Sequence, residues 1–231
     1  MAETIFAAPI LDVADPERAL ALSYAPRTAR AGLAALWALD ETLGGILRGG
    51  RDPMVSQLRL TWWYEALCRL DQAPPPAQPL LQALAAEILP RGITGAELAA
   101  MIDGWEALLD PDPLGDNAIA AYAEARGGGL FRAAGRVFGS PTDALVAAGQ
   151  GWALVDLARH CGDPVLAARA LLLARSPLDT ALARPWHRQA RPLGMLACLA
   201  RRDAARTQTP LSQQGSPLRL ARMLAHALTG R

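Results

Sequence analysis

The apolar residues of this chain are nearly all of one conformational kind: 48 alanines and 38 leucines stand against 7 isoleucines and 6 valines. Ala and Leu lose little entropy in a helix, whereas β-branched side chains favour strands. The imbalance predicts an all-α fold. At 231 residues, 52% apolar and 19% charged, the chain can bury a sizeable core and suits one helical domain over 1–231.

Apolar periodicity and end signals place helices at about 15–23, 27–47, 53–71, 77–89, 94–109, 116–137, 141–161, 164–175, 190–204 and 215–228. Asp15-Pro16 and Asp52-Pro53 each supply an N-cap followed by proline at the first helical position. Thr94 and Glu97 are spaced as a capping box. The proline-rich stretch at 73–79 reads as a stiff connection, and Pro111 and Pro113 separate two helices. Gly127-Gly128-Gly129 interrupts a helical pattern, which implies a kink or a close backbone approach. The arginine-rich C-terminal third, with a loop over 207–217, is expected to pack less tightly.

Several functions are excluded on chemical grounds. All 23 basic residues are arginine, so there is no Schiff-base, P-loop or SxxK lysine. A net charge of +1 provides no field for nucleic acid. Cys68, Cys161 and Cys198 form no CxxC pair, and His160, His187 and His226 lack metal-ligand spacing. No GxSxG elbow occurs, and the glycine triplet does not follow a strand as a dinucleotide fingerprint would. The N-terminus has no basic n-region, and no run of 18 apolar residues exists. The expected location is the cytoplasm, with at most peripheral contact at the inner face of a membrane.

The most distinctive string is Gln57-Leu58-Arg59-Leu60-Thr61-Trp62-Trp63-Tyr64-Glu65-Ala66-Leu67. Adjacent tryptophans on a helix point about 100° apart, so one can anchor the core while its neighbour faces elsewhere. Arg59 and Trp63 lie at i,i+4 and can stack.

This string resembles the "RLxWW" segment of the squalene/phytoene synthase family, in particular its branch related to mitochondrial complex I assembly factors. Asp15-Pro16-Glu17-Arg18 is similar to the family's opening "DPxR", and Ala35-Leu36-Trp37-Ala38-Leu39 to its "ALYAF" helix. Tyr122-Ala123-Glu124-Ala125 with the following glycines resembles "YxxxTxG". Gly149 through Arg159 resembles "GxAxxLTxxLR", and Arg169 stands where the family often has the arginine of "GRxYLP". The resemblance implies a single all-α isoprenoid-synthase bundle around a deep central cavity. In that family two aspartate-rich helices hold Mg²⁺ ions that neutralise a prenyl diphosphate.

The chain departs from the family at those aspartates. Positions 44 and 48 of the first motif hold Gly44 and Arg48, and positions 160 and 164 of the second hold His160 and Pro164. Asp40 and Asp156 each lie one turn earlier, with Glu41 and Asp163 nearby. Two carboxylates cannot hold a magnesium cluster as four do, and Arg48 repels a cation. The reading is therefore a pseudoenzyme: a bundle that binds an apolar or isoprenoid ligand, or that acts with a protein partner in assembly of a respiratory complex, with no cofactor. The alternative is an active head-to-head prenyl-diphosphate transferase with an unusual site, which alone would need Mg²⁺; an all-α domain with no ligand stands beside both. Residues expected at the cavity are Asp40, Glu41, Arg48, Arg59, Trp63, Tyr122, Asp156, Arg159, His160 and Arg169. A buried carboxylate without metal needs a cation. Asp40 or Asp156 is thus expected to bridge to arginine, with Arg48 or Arg159 the first candidates.

Overall fold

Caps and proline starts set the helix boundaries in the computed structural model, which describes residues 13–50, 52–109, 114–140, 142–206 and 211–231. Helix α1 (Pro16–Tyr24) starts at Asp15, whose carboxylate accepts the backbone N–H groups of Glu17 and Arg18. Helix α2 (Arg27–Gly49) buries Leu33, Leu36, Leu39, Asp40 and Leu43 along one stripe. Helix α3 (Pro53–Arg69) is capped by Asp52, and α4 (Pro79–Glu87) by Gln78. The capping box of Thr94 and Glu97 opens α5 (Gly95–Ala99), and α6 (Ile102–Glu106) follows.

Beyond these lie α7 (Asp116–Tyr122), a π-helical turn (Ala123–Gly128) and α8 (Gly129–Val137). Then come α9 (Asp143–His160), α10 (Pro164–Ala181), α11 (Arg191–Ala204) and α12 (Pro217–Thr229). Helix α9 is central: it packs against α8, α10, α11 and the π turn. Buried side chains from α1 through α12 join in one apolar cluster. No strand occurs among the described residues, and none of their helices is long and apolar enough to cross a membrane.

Several boundaries differ from the sequence expectation. The helix expected over 94–109 is split into α5, α6 and a 3₁₀ turn at Ala107–Leu109. The helix expected to end at 175 runs on through Pro177 to Ala181. Buried Ala174, Leu178 and Ala181 continue its apolar stripe past the proline, and that burial offsets a helix-interior proline cost of about 3 kcal/mol. The C-terminal third is not loosely packed: Asp203, Arg219 and Met223 are all buried there. Two of its arginines, Arg159 and Arg219, serve as internal ion-pair partners of Asp203, which composition could not reveal. Pro111, Pro113 and the loop residues 207–210 lie outside the described residues, as does the N-terminal stretch 1–12.

The glycine triplet provides a close backbone approach. A Cβ on Gly127 would stand 2.1 Å from the carbonyl oxygen of Gly149, and one on Gly149 would stand 2.0 Å from that of Gly127. With both side chains absent, the π turn lies directly on α9. This contact carries Arg126 to the inner face of the bundle, within reach of α2 and α9.

Candidate functional site

Arg126 is the centre of a buried polar cluster. Its Nε and Nη2 donate to Oδ1 and Oδ2 of Asp40 at 2.8 and 2.9 Å, a two-pronged grip. Its Nη1 pairs with Asp156 Oδ2 at 2.7 Å and also donates to the Tyr122 hydroxyl. Arg18, from α1, donates through Nη2 to Asp40 Oδ2 at 2.8 Å. Asp40 and Arg126 are each 1% exposed. Aromatic faces enclose the cations: the Arg126 guanidinium lies 4.0 Å from the Trp105 ring centre and 5.0 Å from that of Trp152, and Arg18 lies 4.9 Å from Trp152.

The electrostatics follow from this packing. Burial pushes the carboxyl of Asp40 up, but the charges of Arg126 and Arg18 outweigh it and hold the group below the usual carboxylate range. At Asp156 burial likewise opposes ionisation, and Arg126 and His160 overcome it, leaving the group ionised far below the usual range. Burial pushes the Tyr122 hydroxyl well above its ordinary value, so it stays protonated. The hydrogen bond to Asp156 raises His160.

A cavity of about 280 Å³ opens beside this cluster, lined among others by Gly44, Arg48, Trp105, Tyr122, Arg126, Asp156 and His160. Leu47, Leu108, Leu114, Leu157 and Leu166 supply its apolar wall. Gly44 has a specific steric role. A Cβ there would come 2.8 Å from Arg48 Nη1 and 3.0 Å from Trp105 Cη2, so the Arg48 side chain and the indole occupy the space that a longer residue at 44 would need.

Of the residues expected at the cavity, Arg48, Tyr122, Asp156 and His160 line it, and Asp40 lies behind Arg126. The others are placed elsewhere. Glu41 is exposed and pairs with Arg48 at 2.7 Å. Arg59 is exposed and does not stack on Trp63; Trp62 meets Trp63 edge-on instead, at 5.2 Å. Trp63 is a core residue of α3. Arg169 pairs with Asp116 at the surface. Arg159 belongs to a second cluster, donating to Asp203 Oδ2 and to the carbonyl of Ser212, both at 2.8 Å. In that cluster Arg219 joins Glu17 of α1 to Asp203 of α11.

The bridges from Asp40 and Asp156 to arginine are present, but the partners are Arg126 and Arg18 rather than Arg48 or Arg159. Arg126 was marked in sequence only by its place i+4 from Tyr122 and beside the glycines. Arg18 was marked only by the DPxR-like opening. Each reaches Asp40 across a long sequence separation, which periodicity cannot register.

These residues do not fit a magnesium cluster. Both oxygens of Asp40 accept guanidinium donors, and Asp156 is held by Arg126 and His160. Among the described residues no group of three or more His, Cys, Asp or Glu side chains could hold a metal ion.

Residues 11–208 match the family model described as squalene/phytoene synthase. The chain belongs to the squalene/phytoene synthase family. Its fold is similar to that in a crystal structure of a dehydrosqualene synthase in complex with ligand, with a TM-score of 0.74 and 13% sequence identity over 92% of this chain and 90% of that one. No curated protein sequence matches the chain. In this family context the all-α isoprenoid-synthase fold expected from sequence is the observed one.

Proposed function

We propose that this member of the squalene/phytoene synthase family binds an apolar or isoprenoid ligand in the cavity beside Arg126 without performing prenyl transfer. The observation that carries the reading is the bidentate Arg126–Asp40 bridge. It commits the Asp40 carboxylate behind the cavity to a fixed internal cation, while Gly44, Arg48, His160 and Pro164 stand at the positions where the family resemblance leads one to expect metal-binding carboxylates. Coupling chemistry on a diphosphate needs metal-scale positive charge on the leaving group, and here Asp156, the lining carboxylate, is already committed to Arg126 instead of being free to bring in a metal ion. The resemblance to the assembly-factor branch supports the same non-catalytic reading, with a protein partner in respiratory-complex assembly as its cellular setting.

The test uses the purified protein with geranyl, farnesyl or geranylgeranyl diphosphate and Mg²⁺, the geranyl chain being the one short enough for the cavity. Diphosphate release is measured alongside quenching of tryptophan fluorescence, since Trp105 lines the cavity. The expected result is saturable quenching by geranyl diphosphate, with no release from any of the three above the protein-free control. Enzymatic release of diphosphate would overturn the proposal.

A further inference from the structure

The mouth of the cavity carries one cation outside the internal cluster, Arg48, and one histidine, His160, that binds the cluster through a single ring nitrogen. Arg48 and His160 both line it and are partly exposed, at 44% and 42% of their side chains. Arg48 gives one nitrogen, Nη2, to Glu41. Among the described residues its Nε and Nη1 have no hydrogen-bond partner. An exposed pair of this kind contributes little and is readily exchanged for another anion. His160 turns Nδ1 toward Asp156, whose main-chain oxygen is at 2.9 Å and whose Oδ1 is at 3.3 Å; Nε2 has no partner among the described residues.

Arg48 and Arg126 line the cavity against the carboxylate of Asp156, and with Arg126 committed to the aspartates the lining cation left over is Arg48. That carboxylate is already held by Arg126, and Asp40 behind it is held by Arg18 as well. Glu41 is not among the lining residues. An incoming anion therefore meets the Arg48 guanidinium and, from the protonated form of His160 that its bond to Asp156 favours, the Nε2–H at the rim, with the opposing carboxylate neutralised.

Size limits the rest of the ligand. An apolar cavity of roughly 150 Å³ accommodates benzene. By that scale about 280 Å³ accommodates about ten to twelve carbon atoms. This is room for one short chain against Leu47, Leu108, Leu114, Leu157 and Leu166, and not for two such chains side by side.

Resting on the ligand-binding reading above, we infer that the cavity takes one single-chain anionic amphiphile of about ten to twelve carbons, its phosphate or carboxylate held directly by Arg48 and His160 without a metal ion. Positive charge at this rim thus comes from the chain's own side chains. The apolar tail lies over Trp105, which packs against Gly44 on one side and Arg126 on the other.

Titration calorimetry and tryptophan fluorescence in EDTA test the inference, with all probes below their micellar concentrations. Decanoate, geranyl monophosphate, decanol and decyltrimethylammonium are compared. The expected result is one site per chain for at least one of the two anions, at least tenfold tighter than for the alcohol or the cation and unchanged when Mg²⁺ replaces EDTA. Geranyl monophosphate against decanoate then separates an isoprenoid source from an acyl one. Arg48→Gln, an exposed position, should weaken the preferred anion about tenfold and leave decanol unaffected. Equal binding of decanol and the anions, with no effect of Arg48→Gln, would overturn the headgroup assignment while leaving the ligand-binding reading intact. A requirement for Mg²⁺ would overturn the metal-free site. No binding of any probe would overturn both readings.

Discussion

Replacing Arg126 with Met keeps much of the side chain's length and apolar volume and removes its charge. Arg126 satisfies both oxygens of Asp40 and one of Asp156, donates to Tyr122, and fills the space against Trp105. Removing one partner of a buried ion pair costs about 3–5 kcal/mol, because the other charge is left uncompensated. Two carboxylates lose their partner here, but neither is stripped bare: Asp40 keeps Arg18 at 2.8 Å and Asp156 keeps His160 at 3.3 Å. The expected loss is therefore about 4–5 kcal/mol at pH 7, a large part of the stability of an ordinary domain.

Urea unfolding followed by circular dichroism at 222 nm measures it. The pH dependence adds a second signature. In the wild type both folded carboxyl values are lowered, so their stabilisation is full above the unfolded value of about 4 and is lost only as pH falls through the folded values. In Arg126→Met, burial is no longer outweighed and the carboxyls titrate higher. Protonation then relieves the strain, and the gap between variant and wild type narrows as pH falls from 7 towards 4. A further Asp40→Asn change in the Arg126→Met background should restore part of the loss. A cost below about 1 kcal/mol at pH 7 would refute the reasoning, since that is the range of a surface pair.

Two other outcomes follow from packing and burial. Trp63, 8% exposed, should lose about 3–5 kcal/mol on change to Ala, whereas Trp62, 50% exposed, should lose about 1 kcal/mol through its edge contact with Trp63; equal midpoints for the two variants in urea would contradict this placement. His226 of α12 is buried, and burial, with the charges of Arg191 and Arg201, outweighs a backbone hydrogen bond at Arg231 and lowers its pKa to about 4. Because the unfolded state takes the proton first, stability should fall by on the order of 3 kcal/mol as pH drops from about 6.5 to 4. His226→Leu should lack that component, and parallel pH profiles for the two proteins would exclude it.

The helical character of the chain was legible locally. Alanine and leucine in place of β-branched residues, Asp-Pro starts at 15 and 52, and the box at Thr94 and Glu97 all act within a turn or two, so sequence order exposes them. The motif order from Asp15 to Arg169 was likewise enough to point to the family, and the missing carboxylates at 44, 48, 160 and 164 were readable by position. The Gly127–Gly149 approach was half visible, as a triplet with no stated partner.

The pairing of charges was decided by tertiary structure. Asp40 and Arg126 lie on α2 and the π turn, Glu17 and Arg219 near opposite ends of the chain. An arginine can reach any carboxylate that packing brings within its length, and with 23 arginines the sequence leaves the choice open. Arg48 and Arg159 were near Asp40 and Asp156 in sequence, yet helix orientation turned them to Glu41 and Asp203. The approach of two bare backbones at Gly127 and Gly149 placed Arg126 inside instead, because only there could the π turn come close enough to α9 for one guanidinium to serve two aspartates.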